Sequence, residues 1–87
     1  MSSRGITGFT THGTQRASGE RGFNLSRILR VVSDGNVTQA TGRYGTIQNR
    51  FSLGRNTVVV ETEGRNAGKI ITTFSDDAAN GGYWVSP

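Results

Sequence analysis

The chain has no cysteine and a single histidine, and these two shortages close off the common ways of bracing a small domain. Without cysteine there is no disulfide and no thiol chemistry, so the fold is indifferent to redox compartment. One histidine cannot supply the three or four side-chain ligands of a structural zinc site. Hydrophobic residues make up only 32% of the 87 residues, a modest supply for a chain near the lower size limit of a self-sufficient core. Stability must come from sheet hydrogen bonding, a thin core or a bound protein partner. No apolar run approaches the ~20 residues of a membrane span, and the opening MSSRGITG has no apolar segment of signal-peptide type. The expectation is one soluble domain over residues 1–87, with its core at 7–75 and a tail at 76–87.

Acidic residues are also few. Six Asp and Glu stand against ten Lys and Arg, giving +4, and the last twelve residues hold Asp76 and Asp77 but no base. With ten bases and four acids, residues 1–75 therefore carry +6. Nine of the ten bases are arginine, whose planar fork suits bidentate phosphate contact and stacking on bases. The balance favours a nucleic-acid partner over arginines that merely keep the protein in solution.

Residues 11–20 read as a short helix capped by Thr10 or Thr11, weakened by Gly13 and Gly19 and ended by Gly22. NLSRILRVVSDG is a clearer helix. Asn24 caps it, Leu25, Ile28, Leu29 and Val32 recur at helical spacing, and Gly35 closes it. Four strand candidates follow in NVTQATGR, YGTIQNRFSLG, NTVVVETEG and GKIITTFSD, joined by Gly- and Asn-bearing turns that favour antiparallel neighbours. The expected fold is α+β, two N-terminal helices packed on an antiparallel sheet of about four strands. GRYG, GRNT and GRNA recur at spacings of 12 and 10 residues, which is repeated turn chemistry rather than a solenoid. In the tail AANGGYWVSP, Trp84 is expected to pack back on the body.

Few residues can carry chemistry. Of the carboxylates, only Asp76 and Asp77 are adjacent, in an expected turn, and neither a G-x-S-x-G elbow nor a Walker-type loop occurs. GRNAGK lacks the spacing of a phosphate loop and the Ser or Thr after Lys. His12 and Arg16 remain, at i and i+4 on one helix face, where their side chains can converge on one anion. Metal-free RNA cleavage needs a base for the 2′-hydroxyl, a donor for the leaving 5′-oxygen and cations around the phosphorane. Imidazole with guanidinium covers much of that list, with Arg16 stabilising charge rather than moving protons. The alternative is a surface histidine beside a surface arginine. Further candidates are Tyr44 and Arg43, Gln48, Arg55, Lys69, and Thr72 with Thr73, of which alternation allows at most one on a given site.

THGTQRASGERGFNLSRILRVVSDG, followed by RYG, GRNTVVVET and GKIITTF, resembles the C-terminal ribonuclease domains of bacterial polymorphic and contact-dependent growth-inhibition toxins. That superfamily groups barnase, EndoU, certain tRNase colicins and RelE, and the likeness spans roughly residues 7–75. His12 and Arg16 match its helical His-x-x-x-Arg element, Arg21 and Gly22 a basic helix terminus, and Thr72 before Phe74 its last strand. The resemblance implies cofactor- and metal-independent endonucleolytic cleavage of RNA, often tRNA, leaving a 2′,3′-cyclic phosphate. It also implies secretion as part of a larger effector, action in the cytoplasm of a target bacterium, and a cognate immunity protein. Here the sequence departs from the family's form in having Gly13 after His12 and no second histidine, so a two-histidine mechanism is ruled out. Tyr44, Lys69 or a threonine-positioned water remain as leaving-group acid. The reading assigns catalysis to His12, Arg16, Thr72 and Tyr44, and RNA binding to Arg21, Arg43, Gln48, Arg55, Lys69 and Thr73. Its rival is a non-catalytic module in which the same arginines bind nucleic acid.

Overall fold

β-Branched and alternating stretches make up most of the second half of the chain, and in the structure they pair in the order in which they occur. The structure, a computed structural model, describes residues 6–15, 22–42, 44–76 and 81–86, with the side chains of His12 and Gln15 outside that description. Strands β2 (Asn36–Thr41), β3 (Ile47–Leu53), β4 (Asn56–Glu61) and β5 (Lys69–Ser75) form an antiparallel meander. A two-residue strand, β1 (Gly8–Phe9), lies parallel to the start of β5, so the sheet order is β1-β5-β4-β3-β2. Helices α1 (Thr11–Gln15) and α2 (Leu25–Asp34) complete the described elements, and no helix among the described residues is long and apolar enough to cross a membrane.

This corrects the expected architecture of two helices on a four-stranded antiparallel sheet. The sheet has five strands of mixed sense, and α2 alone runs beyond five residues. Sequence could not show β1, because two residues carry no alternation to read. It is fixed from outside by backbone bonds from Thr7 N to Gly68 O at 2.8 Å and from Thr10 N to Ile70 O at 3.0 Å. The helix expected at 11–20 is present at Thr11–Gln15, with the Thr10 hydroxyl capping it by accepting from Gly13 N at 3.0 Å; residues 16–20 lie outside the described part.

Helix α2 rests on β3 and β4. Asn24 Oδ1 accepts from Arg27 N at 2.9 Å, the expected N-cap. Its buried stripe is Ile28, Val31 and Val32, while Leu25 is 61% exposed, so the apolar face is rotated from the one the spacing indicated. Gly35 ends the helix with an ordinary negative φ of −78°. Its role is space, since a Cβ there would collide with the carbonyls of Val31 and Ser52. Phe23, Ile28, Val31 and Val32 meet Phe51, Val58, Val60 and Ile70 to form the core between α2 and the sheet.

The C-terminal segment belongs to this body. Asn56, fully buried, donates from Nδ2 to Val85 O and accepts from Val85 N at 3.0 Å. Trp84 stands edge-on to Phe23 at 5.3 Å, with the Arg27 guanidinium 5.2 Å from its ring centre and bonded to Gly22 O. Trp84 therefore packs back as its size and apolarity predicted.

Gly13 explains one departure from the expected helix chemistry. It is buried, and a Cβ would overlap the Ile70 carbonyl oxygen, so α1 can lie on β5 only with glycine there. Gly13→Ala is expected to cost about 2 kcal/mol net, because overpacking outweighs the gain of about 1 kcal/mol in helix propensity. Gly8→Ala, with no heavy atom within 4 Å of the new Cβ, is expected to be neutral. Urea midpoints check the pair, and equal midpoints would remove the close approach of α1 to Ile70.

A candidate catalytic cleft on the open face of the sheet

Among the described residues α2 packs on one face of the sheet, and pairing register decides which side chains share the opposite face. Opposed residues in antiparallel strands point to the same side. Gln48 faces Glu61 across β3 and β4, Arg50 faces Val59, and Val59 faces Thr72 across β4 and β5. A register shift between Val59 and Val60 leaves Ile71 as an extra residue in β5. Such a bulge lets consecutive residues turn the same way, and Ile71 and Thr72 both line the cleft. Tyr44 and Thr46 from the β2–β3 turn, Asn66 from the β4–β5 loop, and Thr10 before α1 complete a cleft of ≈ 630 Å³.

Two of its walls are charged. Arg50 is exposed and has no ion-pair partner among the described residues. Glu61 is half-buried, and its Oε1 accepts from the Thr46 hydroxyl at 2.9 Å and from Gln48 Nε2 at 3.4 Å. Its other oxygen, Oε2, is shielded from water without a hydrogen-bond partner. A carboxylate oxygen in that state is costly until a donor reaches it. The bonds to Oε1 hold the carboxylate in place, with Oε2 turned away from those two donors. Among the described residues no three His, Cys, Asp or Glu side chains converge as metal ligands would.

Several sequence candidates meet here. Tyr44, 87% exposed, stands at the rim, and Gln48 and Thr72 line the wall. Others lie elsewhere. Thr73 is fully buried on the α2 side, opposite Val58. Lys69 begins β5 opposite Gly8 and does not line the cleft. Arg55 sits in the β3–β4 turn, at the far end of the sheet from Tyr44 and Asn66. The backbone of His12 runs in α1 beside β5, next to Thr10 of the cleft wall. Its side chain, together with Arg16, Arg21 and Arg43, lies outside the described residues.

Comparison with family models, with curated proteins and with solved structures finds no match.

Spacing along the chain does not single out Glu61. The signal lay in the hairpin. GR between Leu53 and Asn56 is a two-residue loop, and a loop of that length sets Leu53 opposite Asn56 and therefore Gln48 opposite Glu61.

Proposed function

We propose that the open cleft is the active site of an RNA endonuclease that needs no metal. The observation that carries this reading is Glu61 Oε2, without a hydrogen-bond partner in a wall shared with Arg50, which has no ion-pair partner among the described residues. In this mechanism bound substrate displaces the groups that shield Glu61 Oε2, which then takes the proton of a ribose 2′-hydroxyl, and the oxygen attacks the adjacent phosphorus. Arg50 balances the charge that builds on the phosphorane, and Thr72 positions a non-bridging oxygen. The bond from phosphorus to the 5′-oxygen breaks, and that oxygen takes a proton from His12, leaving a 2′,3′-cyclic phosphate and a 5′-hydroxyl. Arg16 would share the phosphate with Arg50. Tyr44, exposed at the rim, is placed to stack on an unpaired base, a contact worth about 1–3 kcal/mol.

The basic composition and the resemblance to toxin ribonuclease domains support tRNA as the substrate. They support delivery within a larger secreted effector, action in the cytoplasm of a target bacterium, and neutralisation by an immunity protein acidic where it covers the cleft. Incubation with total tRNA in chelator is the test. Cleavage with cyclic-phosphate ends is expected, slowed about 100-fold by Arg50→Ala and strongly reduced by His12→Ala. Intact RNA in the wild-type lane would leave a binding module in place of an enzyme.

A further inference from the structure

The two edges of the sheet differ. One is β1, two residues long, and so short an edge offers almost nothing to pair with. The other is β2, six residues reading NVTQAT and exposed along nearly its whole length. Edge strands are ordinarily protected by charge, proline, a bulge or a cover. β2 has no charge and no proline, its pairing with β3 is regular, and β3, β4 and β5 each carry a charged side chain where β2 has none.

The hydrogen-bond phase shows which groups this edge presents. Gly42 N donates to Thr46 O at 2.8 Å, and hydrogen-bonded and non-hydrogen-bonded pairs alternate along an antiparallel ladder. Ala40, Thr38 and Asn36 therefore bond to β3, while Val37, Gln39 and Thr41 turn their backbone N–H and C=O groups outward. The bond from Thr62 N to Ile47 O at 3.1 Å gives the same phase from the other side of β3. Val37, Gln39 and Thr41 also share the sheet face of Phe51, but α2 covers β3 and β4, leaving Val37 49% and Ile47 41% exposed.

We propose that β2 is a self-association edge, pairing antiparallel with β2 of a second copy of this chain about a two-fold axis through Gln39. Only this register gives every outward residue a partner. Gln39 faces Gln39 of the second copy, and Val37 faces its Thr41, with about six backbone hydrogen bonds between the strands. Exposed Val37 then falls in one cross-strand row with Thr41 and Ile47 of the second copy. No like charges are opposed, so the net charge of +4 does not bar the pairing at the strand itself. The occupant is a second copy because β1 is too short to continue the sheet, so the symmetric contact closes at two chains. Both clefts stay open, since they lie on the face opposite α2 in each copy. This inference is independent of the nuclease reading, and its test uses no RNA.

A six-residue edge buries well under the ~1,200 Å² of a stable interface, so the pairing is weak and must be sought at high concentration. Sedimentation velocity from about 5 to about 500 µM is expected to show a rising dimer fraction. Gln39→Lys, which sets two ammonium groups face to face, should hold the chain monomeric throughout, and Val37→Lys should do so as a second variant. The absence of native cysteine allows a direct trap. Paired Cα atoms about 5.5 Å apart lie within disulfide reach, so Gln39→Cys should link to itself in oxidised glutathione at least about tenfold faster than Ser26→Cys, an exposed position on α2. A monomer at the highest concentration with no faster linkage at position 39 overturns the proposal, as does a dimer indifferent to both lysine variants.

Discussion

Replacing Asn56 with alanine is expected to lower the unfolding free energy by about 3 kcal/mol. The side chain is fully buried and acts as a piece of strand backbone toward the C-terminal segment, giving one bond to Val85 O and receiving one from Val85 N. Alanine removes both bonds, strands two backbone groups and opens a small void, each a cost of about 1 kcal/mol or more. For a domain of this size the thermal midpoint should fall by roughly 12 °C or more. Asn56→Asp keeps the acceptor but buries a charge and loses the donor, so it is expected to be no better. The chain has one tryptophan, beside Phe23 and Arg27 in the same segment, and its fluorescence should shift toward that of solvated indole before the sheet melts. Because Asn56 and Trp84 hold one segment, Asn56→Ala and Trp84→Ala should cost less together than the sum of their separate costs. Additive costs, or an unchanged midpoint in Asn56→Ala, would show that the segment is not latched there.

This latch separates what could be read in the sequence from what could not. The four long strands and α2 announce themselves through β-branched runs, alternation, an Asn cap and Gly-bearing turns, all local signals. Trp84 was expected to pack inward on its chemistry alone, but nothing local tied Val85 to Asn56, 29 residues earlier. β1 was hidden for the same reason, since it is defined by Gly68 and Ile70 rather than by its own two residues. The apolar stripe of α2 was displaced because periodicity gives a face of the helix, whereas the sheet selects the part of that face it can cover. Leu25, a stripe member by spacing, stays exposed beyond that cover.

The site divides in the same way. Tyr44, Gln48 and Thr72 stand out in the sequence by residue type and strand position, and the structure places all three along one cleft. The choice between Thr72 and Thr73 needed the bulge, because strict alternation says only that the two differ. Glu61 has no sequence neighbour that marks it. Its distinction is the environment around one oxygen, assembled from the β2–β3 turn, β3 and β4.

On the proposed mechanism, that environment sets the second large expected effect, a loss of about 10³-fold in kcat for Glu61→Gln with KM nearly unchanged. Glutamine is isosteric and can still accept from Thr46 and Gln48 through its carbonyl oxygen, so the anchoring bonds survive and the thermal midpoint should barely move. What disappears is the ability to take a proton at the Oε2 position, and that matters only as the 2′-hydroxyl becomes a nucleophile. A purely structural carboxylate would give the opposite pattern, a lowered midpoint with turnover little changed. A substrate with a single 2′-O-methyl group at the cut provides the complementary check. It should bind the wild-type protein and resist cleavage, because the proton that Glu61 would accept is no longer there. Cleavage of that substrate, or full activity in Glu61→Gln, would take Glu61 out of the chemistry and leave its carboxylate a structural or binding role.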